Sequence, residues 1–270
     1  MITRRSFGIA CGTAAWNALP LHAETRQEKG ERLVRDAFES IGGQSFLDIR
    51  TQVRSGRAYS FYNRQVRGQA EITIYDRFED MRPDVGDEWL PLQRREVYTR
   101  KGDYYALFLN GQGYEVTYRG AVPQPEDYME RYRQASRRDI FYFMRYRLDE
   151  PGLYYYYQGT EIVDNVPSEA VDIVDDEGET ITLFLRKSDG LPLQQRYLRR
   201  DRQTQIPYEE KSVFGRYKQV GDTLLPWVIR RERDEEKVFE LYAQSYETNR
   251  ALSASIFAIP SDVPRLPPNP

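Results

Sequence analysis

The stretch Thr180–Arg200, TITLFLRKSDGLPLQQRYLRR, decides how the chain is read. Side chains of an extended backbone alternate between faces, so Ile181, Leu183 and Leu185 share one face. Lys187-Ser188-Asp189-Gly190 is turn chemistry, because glycine reaches positive φ freely and aspartate bonds back to its own backbone. A second extended run opens at Leu191. So short a connection permits an antiparallel neighbour but not a parallel crossover, which needs about a dozen residues or more. The stretch is a hairpin.

The same reading extends outward in both directions. Strands are predicted at Tyr154–Val163, Glu169–Val174, Thr180–Leu185, Leu191–Arg199, Tyr208–Gln219, Leu224–Arg231 and Val238–Tyr246, each rich in residues that suit a pleated, half-buried surface. Upstream, Glu24–Ile41 reads as an amphipathic helix ended by Gly42-Gly43. Phe46–Arg57, Ala58–Tyr62, Val66–Phe78, Arg94–Thr99, Tyr104–Leu109 and Tyr114–Tyr118 read as further strands. Pro123–Leu148 breaks the pattern: Met129, Tyr132, Ser136, Ile140, Phe143 and Arg147 form a helical stripe, one helix or two short ones laid across the sheet. Ser253–Phe257 reads as a helical turn and residues 263–270 as a disordered tail. The whole is a mainly-β (α+β) domain over residues 24–262, with no linker to split it.

Composition narrows the chemistry. The chain carries 39 Lys and Arg against 42 Asp and Glu, a formal net charge of -3, which gives no electrostatic case for nucleic acid. Residues 1–23 read as an export signal: Arg4-Arg5 and Phe7, a short Gly/Ala-rich run, and Ala23 at the cut. The paired arginines fit a twin-arginine route as well as the general secretory one. The apolar run is too short to span ~30 Å of hydrocarbon. Cleavage there removes Cys11 and His22, the only cysteine and histidine of the chain. A chain without either side chain has no thiol nucleophile, no Ser-His-Asp triad, and no zinc or haem site built on them. No cofactor and no metal are expected.

Several features together resemble the outer-membrane lipoprotein-sorting (LolA-like) periplasmic proteins. They are the opening helix ending in Gly42-Gly43, Phe46-Leu47-x-Ile49, the long meander with one helical insertion, Asp189-Gly190-Leu191-Pro192, Val220-Gly221-Asp222 before Leu225-Pro226, and Asn249-x-x-Leu252 with Phe257-x-x-Pro260. The resemblance covers most of the chain beyond residue 23. It implies a single curved antiparallel sheet forming an incomplete barrel, with helices as a lid over an apolar hollow. It also implies a periplasmic carrier for lipid or lipoprotein acyl chains, meeting membrane-bound donor or acceptor proteins. No lid arginine of the family can be aligned.

The residues expected to line such a hollow are Ile72, Ile74, Leu107, Leu109, Leu183, Leu185, Trp227, Phe239 and Leu241, with Phe141, Phe143 and Met144 as the lid surface. Each could instead be ordinary core. Tyr154–Tyr157 is explained by strand propensity, and Asp172, Asp175, Asp176, Glu177 and Glu179 by a solvated turn, since their spacing does not match an EF-hand. The pairs Arg94-Arg95, Arg137-Arg138 and Arg230-Arg231 read as solvated faces; Arg131, Arg133, Arg137 and Arg138 could also touch anionic headgroups. Two other function classes stay open: a carboxylate-dependent hydrolase, which needs neither His nor Cys, and a β-scaffold for protein partners. A continuous apolar hollow favours the carrier, two inward acids in a polar cleft the enzyme, a filled core the scaffold.

The export reading predicts that the exported protein begins at or near Glu24, which N-terminal sequencing checks; a chain that keeps Met1 in the cytoplasm contradicts it. Under the twin-arginine route, changing Arg4 and Arg5 to lysine blocks export.

Overall fold

The computed structural model describes residues 23–82, 84–86, 88–99, 102–201 and 204–268. The predicted export segment lies outside these, apart from Ala23.

Helix α1 (Arg26–Ile41) starts where the sequence offers a reciprocal cap: the Thr25 hydroxyl accepts from the Glu28 amide at 3.1 Å, and the Glu28 carboxylate accepts from the Thr25 amide at 2.8 Å. The chain then turns through α2 (Gln44–Leu47). This corrects the strand predicted from Phe46: the first strand begins at Thr51, and Leu47 and Ile49 belong to the approach to it. Strands β1 (Thr51–Tyr62), β2 (Gln65–Phe78), β3 (Leu92–Val97), β4 (Tyr105–Leu109), β5 (Gln112–Thr117) and β6 (Gly120–Pro123) follow. Two helices come next, α3 (Glu126–Arg138) and α4 (Ile140–Tyr146), and then seven more strands. These are β7 (Tyr154–Val163), β8 (Val166–Val174), β9 (Thr180–Arg186), β10 (Pro192–Arg200), β11 (Pro207–Val220), β12 (Thr223–Arg233) and β13 (Glu236–Thr248).

The thirteen strands form one antiparallel sheet in the order β6-β5-β4-β3-β2-β1-β13-β12-β11-β10-β9-β8-β7. Every ladder but one joins strands adjacent in sequence. The exception is the seam between β1 and β13, which joins the two meanders. Strands β6 and β7 are the edges and do not pair, so the barrel stays open. The α3–α4 segment connects β6 to β7 and therefore passes over the concave face.

The two halves of that face are covered differently. Val34, Ala37 and Ile41 of α1, Phe46 of α2 and Ile140, Phe143 and Met144 of α4 pack on Tyr155, Val171, Ile173, Leu183, Leu185, Phe214 and Leu225. Helix α1 lies so close to β7 that a Cβ on Gly30 would meet the Tyr155 backbone at 3.2 Å. No helix residue joins the apolar cluster of β1, β2 and β13. The convex side of β3–β5 is covered by the C-terminal segment: Ile259 and Val263 pack on Val97, Tyr105, Leu107, Val116 and Ala121. That segment continues as a parallel bridge between Ala121 and Arg265, with the Ala121 amide donating to the Pro264 carbonyl and the Leu266 amide to the Ala121 carbonyl, both at 2.9 Å. Residues 264–266 are thus held to edge strand β6, where the sequence suggested a disordered tail.

At the seam, Ser55 pairs with Ser245 and Gly56 with Ala243, so β13 carries one extra residue there. A Cβ on Gly56 would stand 2.2 Å from the Tyr242 carbonyl oxygen. Gly56→Ala is expected to destabilise the fold by about 1–3 kcal/mol through overpacking, read as a lower urea midpoint at unchanged m-value.

Candidate functional site: the hollow beneath the helices

A cavity of about 360 Å³ lies between the α3–α4 segment and the uncovered part of the sheet, within the range of about 300–1,000 Å³ that small-molecule sites occupy. Its walls follow from strand alternation. Strand β2 presents Ile72, Ile74, Asp76 and Phe78; β3 presents Leu92, Arg94 and Glu96, with Tyr98 just beyond its end; β1 presents Gln52 and Arg54. Phe214, Ile229, Phe239, Leu241 and Tyr246 come from β11–β13, and Tyr128, Tyr132, Phe141 and Arg145 from the helices. Among the described lining residues only Tyr128 and Arg231 are exposed. They mark the mouth.

Nearest the mouth, Ala58, Ile72, Ile74 and Leu241 form a buried apolar cluster with Phe239, Ile229 and Tyr98 against it. All but Tyr98 are strand residues, so this wall faces the hollow without a helix side chain in the cluster. Deeper, the wall is charged. Arg94 pairs with Asp76 through two bonds, Nε to Oδ1 at 2.6 Å and Nη2 to Oδ2 at 3.3 Å. The carboxyl of Asp76 is 2% exposed, so the pair sits out of bulk water. Glu96 accepts the Tyr98 hydroxyl at 2.5 Å. Burial, and then the Glu96 carboxylate beside it, push the Tyr98 phenol well above its usual range, so the hydroxyl keeps its proton. Arg54 donates Nη1 to the Tyr246 hydroxyl at 3.0 Å.

The helical side is pinned by polar groups. The chain breaks between α3 and α4 at Asp139, whose carboxylate accepts from the Phe141 and Tyr142 amides at 3.0 and 3.3 Å. Breaking a helix leaves backbone groups unpaired, and the buried Gln195 amide of β10 satisfies two of them. It accepts from the Ile140 amide at 2.8 Å and donates to the Arg138 carbonyl at 3.0 Å. At the closed end Arg145 donates to the Leu47 carbonyl at 2.9 Å and to the Phe46 carbonyl. Its guanidinium lies over the Phe46 and Phe78 rings at 4.5 and 4.2 Å. Burial pulls its pKa down to about 10, so it remains charged at neutral pH. Arg145 ties α4 to α2. Among the described residues no group of three or more His, Cys, Asp or Glu is placed to hold a metal ion.

Of the residues expected to line a hollow, Ile72, Ile74, Phe239 and Leu241 do so, as does Phe141, which meets Phe214 edge-on at 5.1 Å. The others are corrected. Leu183 and Leu185 lie on the concave face, but α1 and α4 fill the space above them and they are core at 0% and 1% exposure. Leu107 and Leu109 point to the convex side under the C-terminal segment; Phe108 is the inward residue of β4, stacked on Tyr132 at 4.2 Å. Phe143 and Met144 face the core side of α4. Trp227 sits beneath the Lys218 ammonium at 3.9 Å and beside Tyr246. Arg216 takes φ 51° and drops out of the β11–β12 ladder, so simple alternation does not carry to Trp227. Arg94, read as part of a solvated face, is an inward ion-pair partner. The signal for it was Asp76, which continues the inward series of Ile72 and Ile74 and needs a cation if buried.

No family model matches the sequence, and no curated protein matches it. Solved structures do match. A DUF1329 family protein from Desulfovibrio piger aligns at TM-score 0.55 and 14% identity, covering 86% of this chain and 97% of that one. A domain from Vibrio parahaemolyticus assigned by its name to outer membrane lipoprotein sorting aligns at TM-score 0.53 and 10% identity, covering 85% and 96%. A LolA superfamily protein from Nitrosomonas europaea follows at TM-score 0.49 and 11% identity, covering 85% and 97%. The chain therefore shares the fold of the first two of these proteins, which here is a single antiparallel sheet curled into an open barrel. Identities this low establish the fold and no activity.

The Asp76–Arg94 pair yields a sharp prediction. Asp76→Ala leaves a buried guanidinium without its partner and is expected to cost about 3–5 kcal/mol, whereas Asp76→Leu combined with Arg94→Met recovers most of that loss. Urea unfolding of the two variants checks both halves.

Proposed function

We propose that the protein is a non-enzymatic periplasmic carrier that holds an acyl chain of a lipid or lipoprotein in the hollow, received from and passed to membrane-bound partners. The observation that carries this reading is the apolar wall of Ile72, Ile74, Phe239 and Leu241, which no helix covers and which borders the cavity of about 360 Å³. An apolar surface left open inside a protein is completed by an apolar ligand. The name of the V. parahaemolyticus domain, which shares the fold, points the same way. No helix of the described residues is long and apolar enough to cross a membrane.

The hollow also holds two inward acids, Asp76 and Glu96, the feature a carboxylate-dependent hydrolase would need. Both oxygens of Asp76 are engaged by Arg94, and Glu96 accepts from Tyr98. Both acids are thus engaged by neighbouring side chains, and the apolar wall favours the carrier.

Ile74→Trp fills the cavity from one wall. It is expected to stay folded, melt within a few degrees of the parent and lose most binding of a fluorescent fatty-acyl probe. Leu183→Trp, at a site already filled, is expected to lower stability by ~1–3 kcal/mol or more without any special effect on the hollow. Failure of the parent to bind the probe at all would remove the carrier reading.

A further inference from the structure

We propose that Arg54 is an anchor for an acidic head group, so that the ligand of the hollow is an anionic amphiphile and not a neutral chain. This rests on the reading of the hollow as an acyl-chain site and narrows its cargo.

Four arginines line the hollow, and three are accounted for. Arg94 is neutralised by Asp76, Arg145 is consumed by two backbone carbonyls and two aromatic rings, and Arg231 is exposed at the mouth. Arg54 has one hydrogen bond, to the Tyr246 hydroxyl, and its guanidinium lies 5.6 Å from the centre of that ring; the hydroxyl itself donates to the Pro226 carbonyl at 2.8 Å. Its Nε is buried without a hydrogen-bond partner, and none of the ion pairs among the described residues includes it.

The ladder register shows why neither nearby acid serves it. On β2 the residue opposite Arg54 is Ile74, and Glu96 lies opposite Ile74 on β3. Two strand spacings, about 10 Å, separate Arg54 from Glu96 along that row. Asp76 is the diagonal neighbour, two residues along β2, but both of its oxygens are held by Arg94. Arg54 thus lines the hollow as a permanent charge with one donor unpartnered and no ion pair to a described residue. Guanidinium favours oxyanions with planar or tetrahedral oxygens, and such bonds are stronger than neutral ones.

The wall beside it has the complementary character. From Arg54 toward the mouth the concave surface is Ile72, Ile74, Ile229, Phe239 and Leu241. An anionic head at Arg54 would therefore lay its alkyl chain along this wall, with Tyr128 and Arg231 at the open end. The head lies deep in the hollow and the chain points outward.

Calorimetric titration of the full chain with decanoate, decyl phosphate and 1-decanol tests this without any substitution, since the three share one chain length. Both anions are expected to bind at least about tenfold more tightly than the alcohol. Stronger binding of decanoate would identify a fatty-acid head, and stronger binding of decyl phosphate a phosphate head. In Arg54→Gln the preference is expected to fall to within about twofold; Arg54→Lys keeps part of it. Equal binding of anion and alcohol by the parent would overturn the anchor and leave the carrier reading standing. Absence of binding by all three would overturn both. Should Arg54→Gln fail to fold, the comparison on the parent decides.

Discussion

The pairing of β1 with β13 is the constraint on which the rest depends. Twelve ladders hold the sheet together, and eleven join neighbours in sequence that a short turn can bring into register. Only the seam brings together residues some 180 positions apart, Ser60 opposite Phe239 among them. Without it there would be two separate meanders, each with a long unpaired edge. With it the sheet curls far enough for the α3–α4 segment to span from one outer edge to the other. Asn249 finishes the junction: its side chain accepts from the Arg50 amide at 2.7 Å and donates to the Asp48 carbonyl at 3.2 Å.

Curling alone does not make a cavity. It arises because the helices are unequally distributed. Helices α1, α2 and the core side of α4 occupy the concave surface of β7–β12, and this is where the large core forms. Over β1–β3 and β13 the same surface is met by the other face of α4 and by α3, whose Tyr132 packs at the β3–β4 side against Leu92 and Phe108. Most of the polar groups that would otherwise make an internal space costly are paired, Asp76 with Arg94, Glu96 with Tyr98, and the broken helix ends with Gln195 and Asp139; Arg54 Nε is an exception.

Much of this was legible in the sequence. Strands with one wet face announce themselves by alternation, and β2 is the clearest case: its period puts Ile72 and Ile74 on one face, and the resemblance supplies the hollow that this face lines. The reading failed where both faces of a strand are covered. In β4, Leu107 and Phe108 are both buried, so no polar residue marks which side is which, and the choice of Leu107 over Phe108 had no physical basis. It failed again on α4, where Phe141 and Phe143 are equally apolar but one meets the cavity and the other the core. Leu183 shows a third limit: its face was read correctly, yet whether a helix fills the space above a residue is a tertiary fact. The charged belt was least visible, because Arg94 stands among other charges in Gln93-Arg94-Arg95-Glu96 and nothing local distinguishes a buried arginine from a wet one.

The C-terminal segment that runs over the convex side of β3–β6 gives the walls of the hollow unequal mechanical compliance. Strands β3 and β4 are clamped, with Phe108 pressed on Tyr132 from within and Leu107 packed under residues 259–263 from without. Strands β12 and β13 lack such a backing among the described residues, and Val238 and Tyr242 on β13 are open to solvent. A change in the volume of the hollow is therefore taken up on the β12–β13 flank, while the β3–β4 flank holds its shape as a fixed jaw.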